Sequence, residues 1–298
     1  MSVLLWKKNQ SAQVSHASCQ GFWTEAWRRF CQNTSAKIGL YTLFTLIILA
    51  IICPFLTEHT YYETHLALKN SPPSKNFWFG TDDLGRDLLC RTFIGARVSL
   101  FVGITAAIID LIIGVVWGGT AALLGGRIDN ILMRIADILY AIPYLLLVIL
   151  LMMVLGSGLG PIILALTLIG WIGMARIVRG QIIQLKKAEF VEAAIACGAS
   201  KRRILFRHLL PNALGPIIVT MTFTIPSAIF AEAFLSFLGL GIQAPMASLG
   251  SMVSEGMPAM RYYPWRLFFP ASFISLMMIA FNLIGDGLTD ALDPKGKK

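Results

Sequence analysis

The sequence predicts an all-α polytopic membrane protein with six transmembrane helices and both termini on the cytoplasmic side (N-in, C-in). Three observations carry this. Of 298 residues, 56% are hydrophobic and only 14% charged, against about 25% charged in soluble domains. Several charge-free stretches are long enough to cross a hydrocarbon core of about 30 Å at 1.5 Å per residue. The basic residues behind the net charge of +9 flank these stretches, which is the positive-inside pattern of a bilayer protein and not the basic patch of a nucleic-acid binder.

Residues 1–37 read as a cytoplasmic N-terminal segment, in which Lys7, Lys8, Arg28, Arg29 and Lys37 face one acid, Glu25. The first twenty residues read as a disordered tail. The stretch from Thr24 to Phe30 suits a short amphipathic helix at the membrane surface. No apolar core near the N-terminus fits a cleavable signal, so the first span, residues 38–57, is expected to be retained.

Residues 58–96 form the expected extracytoplasmic loop. Ser71-Pro72-Pro73-Ser74 is a stiff turn, and the Asp and Gly residues of Phe79-Gly80-Thr81-Asp82-Asp83-Leu84-Gly85-Arg86-Asp87 suit tight turns and a helix N-cap before Leu88. The DxDxDG spacing of a calcium loop is absent.

The second span covers 98–124 and contains Asp110. A carboxylate at mid-membrane costs roughly 2.5–3.5 kcal/mol, whereas the Leu, Ile, Phe and Val residues between Val98 and Val116 together return roughly 4–7 kcal/mol, so the helix inserts. Two kinds of reading of Asp110 stand side by side: a position on a hydrated translocation path or in proton transfer, or a buried acid hydrogen-bonded to a neighbouring helix or lying nearer the interface. Gly114 and Gly118 form a small-xxx-small face that permits close helix contact.

Gly125-Gly126-Arg127 ends that helix. Residues 138–175 carry no charge and are broken by Gly156-Ser157-Gly158-Leu159-Gly160-Pro161, which predicts spans three and four joined by a tight hairpin, with Pro143 kinking span three. Span five covers 209–231. Residues 232–266, rich in Gly, Ser and Pro, read as a short half-embedded helix and an external loop. Span six covers 267–285, and 287–298 is a polar cytoplasmic tail. In this arrangement 18 Lys and Arg residues lie inside and 7 outside, which sets the orientation.

The loop between spans four and five, residues 176–208, carries eight Lys or Arg residues. It lacks Pro, so a helix is expected to continue from span four to Cys197. Gly198 then takes the left-handed conformation that ends it. Ser200 caps a second, basic helix through Arg202 and Arg203, and Pro211 resets the chain into span five. Two readings fit the charge: a rigid helix–Gly–helix lever, or a loop retained for topology and anionic-lipid contact.

The order of residues discriminates between them. Glu192-Ala193-Ala194, then Gly198, then His208-Leu209-Leu210-Pro211-Asn212 resembles the EAA loop of bacterial binding-protein-dependent ABC importer permeases, in the last large cytoplasmic loop where that family carries it. Phe79-Gly80-Thr81-Asp82, Gly85-Arg86-Asp87, residues 175–181, residues 234–241, Gly285-Asp286-Gly287-Leu288 and Asp290-Ala291-Leu292-Asp293-Pro294 resemble the dipeptide/oligopeptide group, nearest its C-type membrane subunit.

The resemblance implies a type I ABC importer permease fold, with a core over residues 97–286 and a coupling loop at 176–208. Glu192, Ala193, Ala194, Gly198, Arg202, His208 and Pro211 would belong to the loop that docks on the ATPase. It further implies a second homologous permease subunit, one or two cytoplasmic ABC ATPases that bind the ATP, an extracytoplasmic substrate-binding protein, and a bacterial inner-membrane location. Peptides are the expected cargo; nickel and glutathione importers have similar subunits. Asp110 lies outside the family's motif.

The chain has no GxxxxGK[ST] phosphate loop, and its five cysteines form no CxxC pair, so no catalytic residue, metal site or cofactor of its own is expected. The competing class is an ion-coupled secondary carrier using Asp110. It is disfavoured by the lack of an internal repeat and by the single deep acid. A membrane-bound enzyme would need a clustered Ser/His/Asp or metal-ligand set, and none is visible.

Overall fold

The computed structural model describes residues 22–57 and 59–292. The expected N-terminal tail and the end of the polar tail, with Asp293 and Pro294, lie outside the described residues. Helices α1 (Phe22–Gln32), α2 (Thr34–Leu56), α3 (Leu88–Leu124), α4 (Gly126–Ala141), α5 (Tyr144–Leu155) and α6 (Leu159–Leu185) are followed by α7 (Glu189–Ala196) and α8 (Lys201–Ile204). A π turn (Leu205–Leu209) then leads into α9 (Leu210–Phe237), α10 (Leu249–Gly256) and α11 (Trp265–Leu292). Among the described residues there is no strand beyond the isolated bridge Thr81–Asp87. Five helices are long and apolar enough to cross a membrane, and α4 with α5 makes a sixth span if that pair, bent by 81°, counts as one.

That bend falls at the expected Pro143 kink but is sharp enough to break the third span into two helices. Helix α5 has 12 residues and reaches only about 18 Å, short of a ~30 Å core. Pro143 has no N–H to continue the helix, and Ile142 before it is extended at ψ 128°.

The ends of three other spans also move. Helix α3 begins at Leu88 and carries two arginines whose charge is answered locally. Arg91 meets Glu255 at 3.0 Å, while Arg97 donates to the Ala50 and Ile51 carbonyls of α2 and lies over Phe55. Helix α9 runs through Glu232, which the sequence reading places after span five, in the stretch of short half-embedded helix and external loop. Its side chain is 0% exposed and accepts from the Ser99 and Ser236 hydroxyls, each at 2.8 Å. Helix α11 continues into the expected tail as far as Leu292, where Asp290 accepts from Asn33 at 3.1 Å and Ala291 packs with Phe30 and Ala36.

Helix α3 stands at the centre, packed on α6, α9 and α2, and α11 closes the bundle against α2 and α9. The expected amphipathic segment is α1. It seats Ala26 and Phe30 inward, and hydrogen bonds from Arg29 and Arg28 hold its Glu25 carboxyl below the usual carboxylate range.

At the opposite end, Asp87 is the predicted N-cap of α3, accepting from Leu89 and Cys90; burial raises its carboxyl against those two bonds. Around it Asp82, Arg86 and Arg91 are buried together. Arg86 Nε lies 2.6 Å from Asp82, and Arg266 of α11 lies 3.3 Å from Asp83. The loop, α10 and the start of α11 are thereby tied to α3.

The α3–α6 contact depends on the absence of side chains. A Cβ on Gly118 would overlap the Ala175 carbonyl oxygen, and one on Gly114 would come 2.6 Å from Met174 Cβ. Gly118→Ala is therefore expected to lower stability by about 1–3 kcal/mol, the range for overpacking, read as a lower unfolding temperature in detergent. The exposed Gly173→Ala, where a Cβ meets nothing within 4 Å, should leave it unchanged.

Candidate functional site

The segment after α6 folds as an elbow, with one departure from expectation. Helix α6 does not continue to Cys197. It stops at Leu185, because Ala188 is extended at ψ 142° and the chain restarts as α7. The turn over 186–188 holds Lys186 Nζ 3.1 Å from the Ala122 carbonyl, at the C-terminal end of α3 where unpaired carbonyls favour a cation.

The end of α7 follows the sequence reading. Gly198 has φ +77°, its N–H bonds to Ile195 O at 2.9 Å, and the Ala199 N–H bonds to Ala194 O at 3.0 Å. This pair is the Schellman arrangement that a left-handed glycine permits. Ser200 then accepts from the Arg203 N–H at 3.3 Å and caps α8.

Pro211 does not reset the chain, since residues 201–237 form one continuous span. The π turn explains this. Leu210 N–H reaches back five residues to the Leu205 carbonyl, and this wider turn leaves room for a ring that would clash with the carbonyl four residues back in an α-helix. The Asn212 side chain donates to the His208 carbonyl at 2.6 Å, so the disturbed turn keeps its hydrogen bonding.

The two faces of the elbow differ. On the inner face Val191, Ile204, Leu205 and Leu209 join one buried cluster with Ala122 of α3, Met174, Val178 and Ile182 of α6, and Ala213 and Ile217 of α9. The outer face exposes Phe190, Ile195 and Phe206 among Glu192, Arg202 and Arg203. Ser200, Arg202, Arg203 and Phe206 line a shallow open depression of about 430 Å³. Ala193 and Cys197 are exposed and Ala194 half-buried. Among the described residues Glu192 forms no ion pair.

Asp110 lies elsewhere, far from the elbow. It is 4% exposed, and its Oδ2 sits where a Gly170 Cβ would be. It borders a cavity of about 370 Å³ between α3, α5, α6 and α9. No side chain of a neighbouring helix bonds its Oδ1, so the reading of a carboxylate hydrogen-bonded into a packed interior does not match that oxygen.

Arg179, in the 175–181 stretch, received no role of its own from the sequence, yet it makes a bidentate pair with Asp129 at 2.6 and 2.7 Å. That contact ties α4 to α6 just above the elbow. The alternation of Arg127, Asp129, Arg134 and Asp137 was the available signal.

Residues 111–298 match the family of the binding-protein-dependent transport system inner membrane component. Residues 21–73 match the N-terminal TM domain of oligopeptide transport permease C. The chain is 57% identical over 276 residues to the oligopeptide transport system permease protein OppC of Bacillus subtilis, covering 93% of this chain and 90% of that one. It is 56% identical over 294 residues to the dipeptide transport system permease protein DppC of the same organism, covering 98% and 92%. With OppC of Escherichia coli K12 it shares 42% over 302 residues, covering 99% and 100%. Among solved structures, the inward-facing MetNI methionine ABC transporter shares the fold, with a TM-score of 0.56 at 19% identity over 67% of this chain and 94% of that one.

Gly198 tests the elbow geometry. A Cβ there meets nothing within 4 Å, so the cost of a side chain is conformational, roughly 1–2 kcal/mol for a residue forced into the left-handed region. Gly198→Val is expected to speed amide exchange over residues 189–204, while Gly198→Asn, which tolerates that region, should leave exchange close to that of the unsubstituted protein.

Proposed function

This chain belongs to the family of binding-protein-dependent transport system inner membrane components, and from that premise we infer that it is the C-type permease subunit of a bacterial inner-membrane ABC importer for oligopeptides or dipeptides. It forms the translocation path with a second, homologous permease subunit. One or two cytoplasmic ABC ATPases bind and hydrolyse the ATP, and an extracytoplasmic binding protein delivers the cargo. The chain carries no GxxxxGK[ST] phosphate loop, and in this reading the nucleotide is bound by the ATPases. The peptide assignment is supported by identities above 55% to an oligopeptide and a dipeptide permease.

One observation carries the coupling role. The elbow exposes a mixed apolar and charged face while its inner face is packed into the cluster that joins α3, α6 and α9. A push on Phe190, Ile195 or Phe206 is resisted by Val191, Ile204 and Leu205, because close-packed side chains leave little free volume to absorb a displacement. Force from an ATPase therefore moves three spans together. Glu192, in no ion pair among the described residues, and Arg202 offer charges of opposite sign to that partner. Ala193 and Ala194 allow close approach, Gly198 sets the bend, and His208 and Pro211 form the joint with α9.

In this reading 1–37 and the segment after α11 face the cytoplasm, 58–96 faces the binding protein, and 97–286 is the permease core. Asp110 borders the path.

Reconstituted complexes test the assignment. Gly198→Val combined with Glu192→Lys is expected to lower ATP-driven peptide uptake at least tenfold while the protein still inserts and hydrolysis by the ATPase subunits persists. Unchanged uptake contradicts the coupling role, and ATP hydrolysis by this subunit purified alone contradicts the division of labour.

A further inference from the structure

Asp110 presents an uncompensated carboxylate to an open cavity within the span. It lies about 21 Å along α3 from Leu124, well inside the bilayer. Among the described residues it forms no ion pair, and α5 and α9 carry no Lys, Arg or His. The nearest guanidinium of α6, Arg176, is engaged with Asp137 at 2.8 Å and with the Tyr140 ring. Intramembrane acids that lack a partner within the fold line pathways or binding sites.

The opposite wall of the cavity narrows the ligand. Thr220, Thr224 and Ser227 stand at helical spacing on α9 and border the cavity with Asp110 and Tyr144. Each hydroxyl spends its hydrogen on its own helix: Thr220 on Pro216 O at 2.8 Å, Thr224 on Thr220 O at 3.0 Å and Ser227 on Phe223 O at 2.9 Å. Only lone pairs remain to turn toward the cavity. Apart from the Tyr144 hydroxyl, the polar lining therefore accepts hydrogen bonds and donates none. A primary ammonium is the complement, with three donors, no acceptor and a positive charge. Gly170 is the device that admits the carboxylate, because any side chain there would displace it.

We propose that Asp110, with the hydroxyls of Thr220, Thr224 and Ser227, forms a transit subsite for a primary ammonium group of the cargo, such as a peptide N-terminus or a lysine side chain. The proposal rests on the permease reading above and adds the chemistry that the path selects.

The test measures charge selection in the cavity separately from transport. In the full importer complex with its native cysteines replaced, Ser227→Cys is labelled with aminoethyl methanethiosulfonate, which is cationic, and with the anionic sulfonatoethyl reagent. With Asp110 present, the cationic reagent is expected to react at least tenfold faster, because the carboxylate and residue 227 border the same cavity and opposite charges attract there. Asp110→Asn, close to isosteric, should bring the ratio near one, and a lysine-containing dipeptide should slow labelling only when Asp110 is present.

Peptide uptake is recorded in parallel. Asp110→Asn should lower it about tenfold. An equal labelling ratio with Asp and Asn, or no labelling by either reagent, overturns the subsite. Uptake that survives Asp110→Asn places the cavity off the path and overturns it as well. Loss of uptake in the complex with Asp110 intact and Ser227 unsubstituted would instead contradict the permease reading, whatever the labelling shows.

Discussion

The approach of α3 to α6 is the constraint on which the membrane core depends. Gly118 meets the Ala175 carbonyl with no room for a Cβ, and one helical turn away Gly114 meets Met174. Shape complementarity at this distance gives dispersion contacts along the whole seam, in a setting where the bilayer supplies no hydrophobic drive between helices. One turn further from the cytoplasm, the same closeness inserts the Asp110 carboxylate beside Gly170. Toward the cytoplasm it brings Lys186 onto the last carbonyls of α3 and lets Ile182 and Leu205 close over Gly119. Cavity and elbow thus lie along one rigid interface.

The two ends of the bundle are held by different physics. The cytoplasmic end relies on apolar packing under an exposed, charged elbow. The extracytoplasmic end relies on the buried group Asp82, Arg86 and Arg91, which the exposed Glu255 also meets, together with Arg266, which reaches Asp83 and the Asn70 side chain. Taking such charges out of water is costly, and removing one partner leaves the other unanswered. The group therefore specifies how the loop over residues 59–87 sits on α10 and α11 more than it adds net stability. Phe79 stacked on Phe269, with centroids 3.9 Å apart, reinforces that placement.

Much of this was legible in the residues because local chemistry and global fold agree there. Gly198 and Ser200 mark the elbow, Asp87 caps α3, Gly114 and Gly118 mark the seam, and charge-free runs mark the spans. What was not legible depended on partners distant in the chain. Hydropathy ended span five before Glu232 because a carboxylate looks like an interface, and its burial is made tolerable by the hydroxyls of Ser236 and of Ser99, far upstream. Hydropathy likewise began span two at Val98, beyond Arg91, whose charge is met by Glu255 far along the chain, although the Asp87 cap already marked the helix start. The break at 186–188 contains neither Gly nor Pro, and Pro211 passes through a helix because the π turn before it has no sequence signature. Asp110 was visible as an anomaly. The acceptor-only wall facing it required the fold.

The central claim is that the elbow is the surface on which an ATPase bears. Cys197 reports on this directly, because it is an exposed free thiol in the last turn of the elbow's first helix. The rate of maleimide modification at Cys197, followed by mass spectrometry of its peptide, can be compared between the isolated subunit and the assembled transporter. The account predicts ready modification in isolation and protection of at least tenfold once the ATPase subunits are bound. Equal rates in the two states would show that the elbow is not the contact, and would contradict the account.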